Sequence, residues 1–165
     1  MIRPLLPADA EELAALYTAN RSFLAPFDPE RPDAFFTATG QEERLAAIGE
    51  HERWLFAVLD GDEIAGTISL TNVVRGALRS ASTGYWIDRR RNGRGLATTA
   101  VADVVRFAFT AAGLHRIEAG TLLDNAASQR VLEKNGFERI GVARRYLHIA
   151  GAWRDHVLFQ RVADS

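Results

Sequence analysis

Hydrophobic residues recur along this chain with two different periods, and the switches between those periods lay out its elements. After Asp9, the residues Leu13, Leu16 and Tyr17 share one face of a helix predicted over about Ala10 to Asn20. Asp9 stands where a cap is needed, with Glu12 in the capping-box position. From Arg21 to Thr39, Pro26, Pro29 and Pro32 interrupt a stretch carrying Phe23, Leu24, Phe27, Phe35 and Phe36, and deny it a long helix. A second helix is predicted over Gln41 to Glu52. Trp54 to Leu59 and Glu63 to Leu70 then read as two strands around the turn Asp60-Gly61-Asp62, a hairpin signature. A third strand near Ser80 to Ile87 leads through a charged, glycine-containing loop to a helix from Leu96 to about Ala112. There Ala97, Val101, Val104, Val105, Ala108 and Phe109 recur at three- and four-residue spacings, the pattern of a face packed on a sheet, and Gly113 is placed to end it. His115 to Thr121 reads as a strand and Asn125 to Asn135 as a short helix stopped by Gly136. Glu138 to His148 and Asp155 to Val162 form a closing hairpin around Ala150-Gly151.

This order implies an α/β domain in which helices cover a mostly antiparallel sheet. The 165 residues, 47% of them hydrophobic, carry no repeat or linker-like stretch, so one domain over residues 1–165 is expected around one core. Charge changes the picture little. Lys and Arg number 20 against 21 Asp and Glu, and a net charge of −1 gives no general pull toward nucleic acid or an anionic membrane. No segment reaches the roughly 18 apolar residues of a membrane span, and Met1-Ile2-Arg3-Pro4 does not begin a signal peptide, so a cytoplasmic protein is expected. Cysteine is absent, which removes disulfides, thiol nucleophiles and thiolate metal sites. The histidines His51, His115, His148 and His156 show no metal-ligand spacing, and no metal is expected. His156 reads first as a structural residue.

The chemistry concentrates in Arg90-Arg91-Asn92-Gly93-Arg94-Gly95-Leu96-Ala97-Thr98, between a predicted strand and the start of a predicted helix. Glycines let a backbone approach a ligand, and the first turn of a helix offers unpaired N–H groups and a partial positive charge, a combination suited to a diphosphate. The phosphate loop of nucleotide hydrolases, G-x-x-x-x-G-K-[ST], is absent. The Rossmann pattern G-x-G-x-x-G fails at Thr98, and its acidic partner is missing, since Glu118 lies inside its strand. The pattern R-x-x-G-x-G fits.

With that loop the sequence resembles the GNAT acetyltransferase superfamily. The resemblance continues through Gly84-Tyr85-Trp86-Ile87, Asn125-Ala126-Ala127-Ser128 and Glu133-Lys134-Asn135-Gly136-Phe137. It is similar above all to the RimJ/RimL-type ribosomal-protein-alanine N-acetyltransferases, and on the RimJ side in Asn20-Arg21, Phe23-Leu24, Asn72-Val73-Val74-Arg75-Gly76 and Trp153-Arg154-Asp155-His156-Val157-Leu158. The resemblance implies a mostly antiparallel mixed sheet flanked by helices, with a V-shaped splay between two central strands that admits the pantetheine arm of acetyl-coenzyme A. It implies that Trp86 and Ile87 hydrogen-bond the arm through their backbone, and that Gly93, Arg94, Gly95, Leu96, Ala97 and Thr98 receive the pyrophosphate. Arg90 and Arg94 then add charge-assisted contacts.

Transfer needs a neutral amine, a donor to the developing oxyanion and a proton for the departing thiolate. With no cysteine, direct attack in a ternary complex is expected rather than a covalent enzyme intermediate. Where many GNAT enzymes carry a tyrosine proton donor, this chain has Leu132. The resemblance points to Ser128 as donor or thiolate stabiliser, positioned by Asn125, with Tyr146 next in line. The usual carboxylates are also replaced, by Ser82 and Gly120, which leaves Glu118, acting through water, as the candidate base.

A magnitude bears on the acceptor: an α-amine with pKa near 8 is about 10% neutral at pH 7 and a lysine only about 0.04%, a gap of roughly 3 kcal/mol. Weak basic machinery therefore suits the N-terminal α-amine of a protein, which the resemblance implies to be a ribosomal one. A small amine such as an antibiotic, polyamine or metabolite is the alternative acceptor, and a non-catalytic acyl-coenzyme A-binding module the alternative class.

Overall fold

The computed structural model describes residues 1–50 and 52–164, so His51 lies outside the described residues. The strands β1 (Ile2–Pro4), β2 (Trp54–Asp60), β3 (Glu63–Val74), β4 (Ser80–Ile87), β5 (Arg116–Leu122), β6 (Glu138–Ile149) and β7 (Ala152–Val162) form one sheet in the order β1-β2-β3-β4-β5-β7-β6. Neighbouring strands run antiparallel except β4 and β5, which are parallel. Helices α1 (Ala10–Leu24) and α2 (Ala38–Ala46) cover one face, and α3 (Leu96–Phe109) with α4 (Ala126–Lys134) the other. This is the mixed, mostly antiparallel α/β arrangement that the alternation of patterns implies.

Two cores follow from the two faces. On the α3 side, Ala100, Val101, Val104 and Ala108 are sealed against Ile68, Leu70, Ile117 and Phe159. On the α1 side, Leu13, Tyr17 and Leu24 pack on Leu55, Ala57 and Ile64. Each valine or leucine so buried is worth roughly 1.5–3 kcal/mol. Alternation along β4 sends Tyr85 to the first core and Trp86 to the second, where the Trp86 indole donates to the Tyr17 hydroxyl at 3.1 Å.

Several boundaries depart from the pattern. Asp9 does not cap α1 through its side chain: its carboxylate receives both Arg3 N–H groups at 2.8 Å and the Leu6 N–H at 2.7 Å. Glu12 reaches across to the Ile64 N–H at 2.8 Å instead of closing a capping box. Helix α1 runs on to Leu24, because the first proline that must break it stands only at Pro26. Helix α2 starts earlier than expected, at Ala38, since the Thr37 hydroxyl accepts the Gly40 N–H at 3.0 Å and supplies the cap. Helix α3 stops at Phe109, where the Thr110 hydroxyl takes the Arg106 carbonyl at 2.7 Å. The short strand β1, pairing with β2, carries no pattern long enough to have been read.

Candidate active site

The strands β4 and β5 pair only at Ser80 with Arg116, Ala81 with Ile117 and Ser82 with Glu118. Beyond those three rungs they diverge, leaving the edge of β4 from Thr83 to Ile87 unpaired on that side. This is the expected V-shaped splay. Thr83 and Thr121, on the diverging stretches, bury hydroxyls that have no hydrogen-bond partner among the described residues. Buried polar groups without partners are costly, and a polar chain or water in the wedge would satisfy them. The amide-rich pantetheine arm fits that need.

The loop at the mouth of the wedge is held from below. The Asn20 side chain, 1% exposed, accepts the Arg89 N–H at 2.9 Å, and Asp88 accepts the Arg90 N–H at 3.2 Å. Gly93 and Gly95 both adopt positive φ, 77° and 79°, in which an L side chain is strained. Gly95 immediately precedes α3, so the open N–H groups of the first turn face the cavity lined by Trp86, Ile87, Gly93, Gly95 and Thr98. Its volume is about 590 Å³. Arg94, expected on phosphate, pairs here with Asp60 at 2.6 Å, and Arg91 bridges Asp60 and Glu63. Arg90 remains 79% exposed beside Asp88 and is the freer cation at the loop.

Asn125 and Ser128 line the same cavity, where Asn125 caps α4 by accepting the Ser128 N–H at 3.2 Å. The Ser128 hydroxyl lies 2.9 Å from the Tyr85 hydroxyl, which also reaches the Ser128 carbonyl at 3.2 Å. The pair thus joins β4 to α4 across the open end of the wedge. Burial pushes the Tyr85 phenol up to about 12, only partly offset by its hydrogen bond to Ser128, so it stays protonated and acts as a donor.

Glu118 sits differently. It occupies the last paired rung, and its carboxylate is held by Arg116 Nε at 2.8 Å. It lines neither of the two cavities described here. The residues that the pattern missed are Tyr85, whose place in the Gly84-Tyr85-Trp86 run carried no role, and Arg130 and Lys134. These last two line the same cavity from one face of α4, and their four-residue spacing was the available signal. Phe23 and Phe27 also line it, so these aromatics face the cavity as well as packing.

A second cleft, of about 660 Å³, lies on the other side of the β5–α4 connection. Its walls are Ala25 and Pro26 after α1, Leu122 to Asp124, and Ala150, Arg154 and Asp155 of the β6–β7 hairpin. The hairpin is tied to the segment after α1 by the Ala150 N–H on the Asp28 carbonyl at 3.1 Å. The two cavities share a wall, since Leu24 and Asn125 of the first adjoin Ala25 and Asp124 of the second.

A split sheet fed by a glycine loop and a helix N-terminus, with a hydroxyl at its open end, defines a transferase of acyl groups carried on coenzyme A. Residues 1–138 match the family model of the acetyltransferase (GNAT) domain, and the chain belongs to that family. It is 43% identical over 162 residues to "Probable N-acetyltransferase YjcK" of Bacillus subtilis, covering 94% of this chain and 89% of that protein. It is 36% identical over 164 residues to the [ribosomal protein uS5]-alanine N-acetyltransferase of Escherichia coli, covering 96% and 84%. The solved structure of Mycobacterium smegmatis RimJ in complex with CoA-disulfide superposes with a TM-score of 0.92 at 36% identity, over 99% of this chain and 81% of that one. The protein is accordingly an acetyl-coenzyme A-dependent N-acetyltransferase. Among the described residues, no cluster capable of holding a metal and no helix long and apolar enough to cross a membrane is present.

Proposed function

We propose that the acceptor is the α-amine at the N-terminus of a protein, of the ribosomal class that the Escherichia coli relative's name carries. The observation that carries this reading is the second cleft. It is open, mostly apolar along Leu122, Leu123, Pro26 and Ala150, and bordered by the carboxylates Asp124 and Asp155 and the Arg154 guanidinium. An extended chain end can lie there with its positive amine leading toward the wall shared with the coenzyme cavity.

In this reading the amides of Gly93 to Ala97, with Thr98 and Arg90, receive the pyrophosphate, and the free edge at Trp86 and Ile87 receives the pantetheine arm. Acetyl-coenzyme A supplies the activated acetyl thioester. Asn125 fixes the first turn of α4, and Ser128 directs its hydroxyl at the departing sulfur. Complete proton loss from Tyr85, at about 12, to a thiolate near 8.5 would be uphill by about 5 kcal/mol. Tyr85 therefore orients and polarises Ser128 rather than becoming a phenolate. Incubating the protein with acetyl-coenzyme A and peptides bearing free or blocked N-termini tests the acceptor. Acetylation of free α-amines alone is expected, and equal acetylation of blocked, lysine-containing peptides would sink the reading. A screen of small amines decides the alternative acceptor in the same assay.

A further inference from the structure

The wedge supplies a hydroxyl for the sulfur but no carboxylate for the amine, and the face of the sheet opposite Ser128 holds a different base. Alternation along β7 sends Val157 and Phe159 into the α3 core and turns His156 and Leu158 to the other face, the one that α1 covers. His156 is 4% exposed, and its Nδ1 lies 3.0 Å from the Arg154 carbonyl. A carbonyl only accepts, so Nδ1 carries the proton and Nε2 keeps its lone pair. Among the described residues Nε2 has no hydrogen-bond partner.

The imidazole edge that carries Cδ2 borders Gly120. A Cβ added there would stand 3.6 Å from His156 Cδ2, the carbon bonded to Nε2, and 3.7 Å from the Tyr146 ring. Gly120 is itself exposed, so this spot opens to solvent. It is also the position at which a carboxylate was sought and is missing. Leu122, two residues along β5, pairs with His156 in register and lines the second cleft, and Arg154 and Asp155 line it immediately before His156. His156 is not itself part of the cleft wall, but it adjoins that wall through Leu122 and Asp155.

We propose that His156 is the general base of this acetyltransferase, its Nε2 taking a proton from the acceptor ammonium over Gly120, directly or through one water. This rests on the reading of the second cleft as the acceptor site. The ammonium gives up two protons in all. One passes to His156 Nε2 and then to solvent. The amine nitrogen bonds the thioester carbonyl carbon, the carbon–sulfur bond breaks, and the second proton ends on the coenzyme sulfur on the Ser128 side. The Arg154 carbonyl steadies the imidazolium through Nδ1–H. The titratable and charged groups sharing that face are Tyr146 on β6, Glu118 and Arg116 on β5, and Arg154 on β7, with Glu118 already engaged by Arg116.

The test uses single-turnover acetylation of any acceptor that the parent protein turns over. His156→Gln is expected to lower the rate at pH 7 by about 100-fold or more, within the range for a positioned base, with acetyl-coenzyme A affinity unchanged. As pH rises past about 8, where an α-amine becomes neutral unaided, the variant should close to within a few-fold of the parent. A purely structural defect would persist at every pH. Should His156→Gln fail to fold, the parent protein with ¹³C-labelled imidazoles decides: the His156 midpoint in the coenzyme complex must match the lower limb of the pH–rate profile. A mismatch, or a variant with the parent's rate and profile, overturns the proposal while leaving the acceptor assignment standing. Failure of the peptide assay with turnover of a small amine overturns only the acceptor assignment, and a parent that turns over no amine overturns both.

Discussion

The Tyr85 hydroxyl lies 2.9 Å from the hydroxyl of Ser128, and this contact joins two elements that the sheet itself leaves apart. Tyr85 belongs to β4 and Ser128 to the helix that follows β5. Because β4 and β5 separate after Ser82 and Glu118, a side-chain bridge on the α4 side is what spans their open end. Ser128 is thereby held at that open end, as the proposed role at the departing sulfur requires.

Tyr85→Phe should lower the single-turnover rate by about two- to tenfold, the worth of one neutral hydrogen bond, with coenzyme affinity unchanged in calorimetry. The same variant has a pH signature. The folded phenol titrates at about 12 against an ordinary 10.0, so its contribution is complete below pH 10 and is lost as pH rises toward 12. Denaturant titrations across that window should show the parent losing roughly 3 kcal/mol more than Tyr85→Phe.

Ser128→Ala should cut chemistry-limited turnover by about tenfold to a thousandfold. Stability should shift by less than about 0.5 kcal/mol, because alanine is a good helix former and Tyr85 keeps the Ser128 carbonyl at 3.2 Å as acceptor. Combined with Tyr85→Phe, the losses should fall short of additive, since both act through one hydrogen bond. Parent-like single-turnover rates in Ser128→Ala across the pH range would move the assignment away from Ser128.

Asn125→Ala should destabilise the protein by about 0.5–2 kcal/mol through loss of the α4 cap. Asn125→Ser restores a capping oxygen and should recover most of the melting temperature. A rate that recovers with it assigns Asn125 a capping role alone, whereas a rate that stays low assigns its amide a contact in the reaction.

Gly95→Ala tests strain alone, because nothing stands within 4 Å of the added carbon and φ is 79°. A cost of roughly 1 kcal/mol in stability is expected. Gly95→Glu adds bulk and negative charge where the pyrophosphate is placed, and coenzyme affinity should fall more than tenfold beyond the alanine variant. Unchanged affinity in a folded Gly95→Glu protein would contradict the loop assignment.

Much of this site was legible in local chemistry. Two glycines spaced around Arg94 before an apolar helix make a turn suited to an anion, because positive φ and open helix N–H groups are properties of the loop itself. Asn125 followed by Ser128 likewise announces a helix start. A candidate base is less legible. Charge and strand position point to Glu118, but charge says nothing about partners, and Arg116 two residues away on the same strand face donates to its carboxylate. The pairing of Arg94 with Asp60, far away in sequence, was not legible for the same reason.

What the sequence by itself determined is the succession of elements after β1, the apolar faces of the main helices, and a glycine loop opening a helix. All three follow from short-range steric and hydrogen-bonding rules and from periodicity. What only the tertiary structure decided is which residues meet across the split between β4 and β5. The termination of their pairing after three rungs, the Tyr85–Ser128 bridge and the arrival of His156 beside Gly120 each join segments distant in the chain. Such contacts depend on strand order, register and the side of the sheet to which each residue turns, and a shift of one residue in any strand would send every one of its side chains to the opposite face.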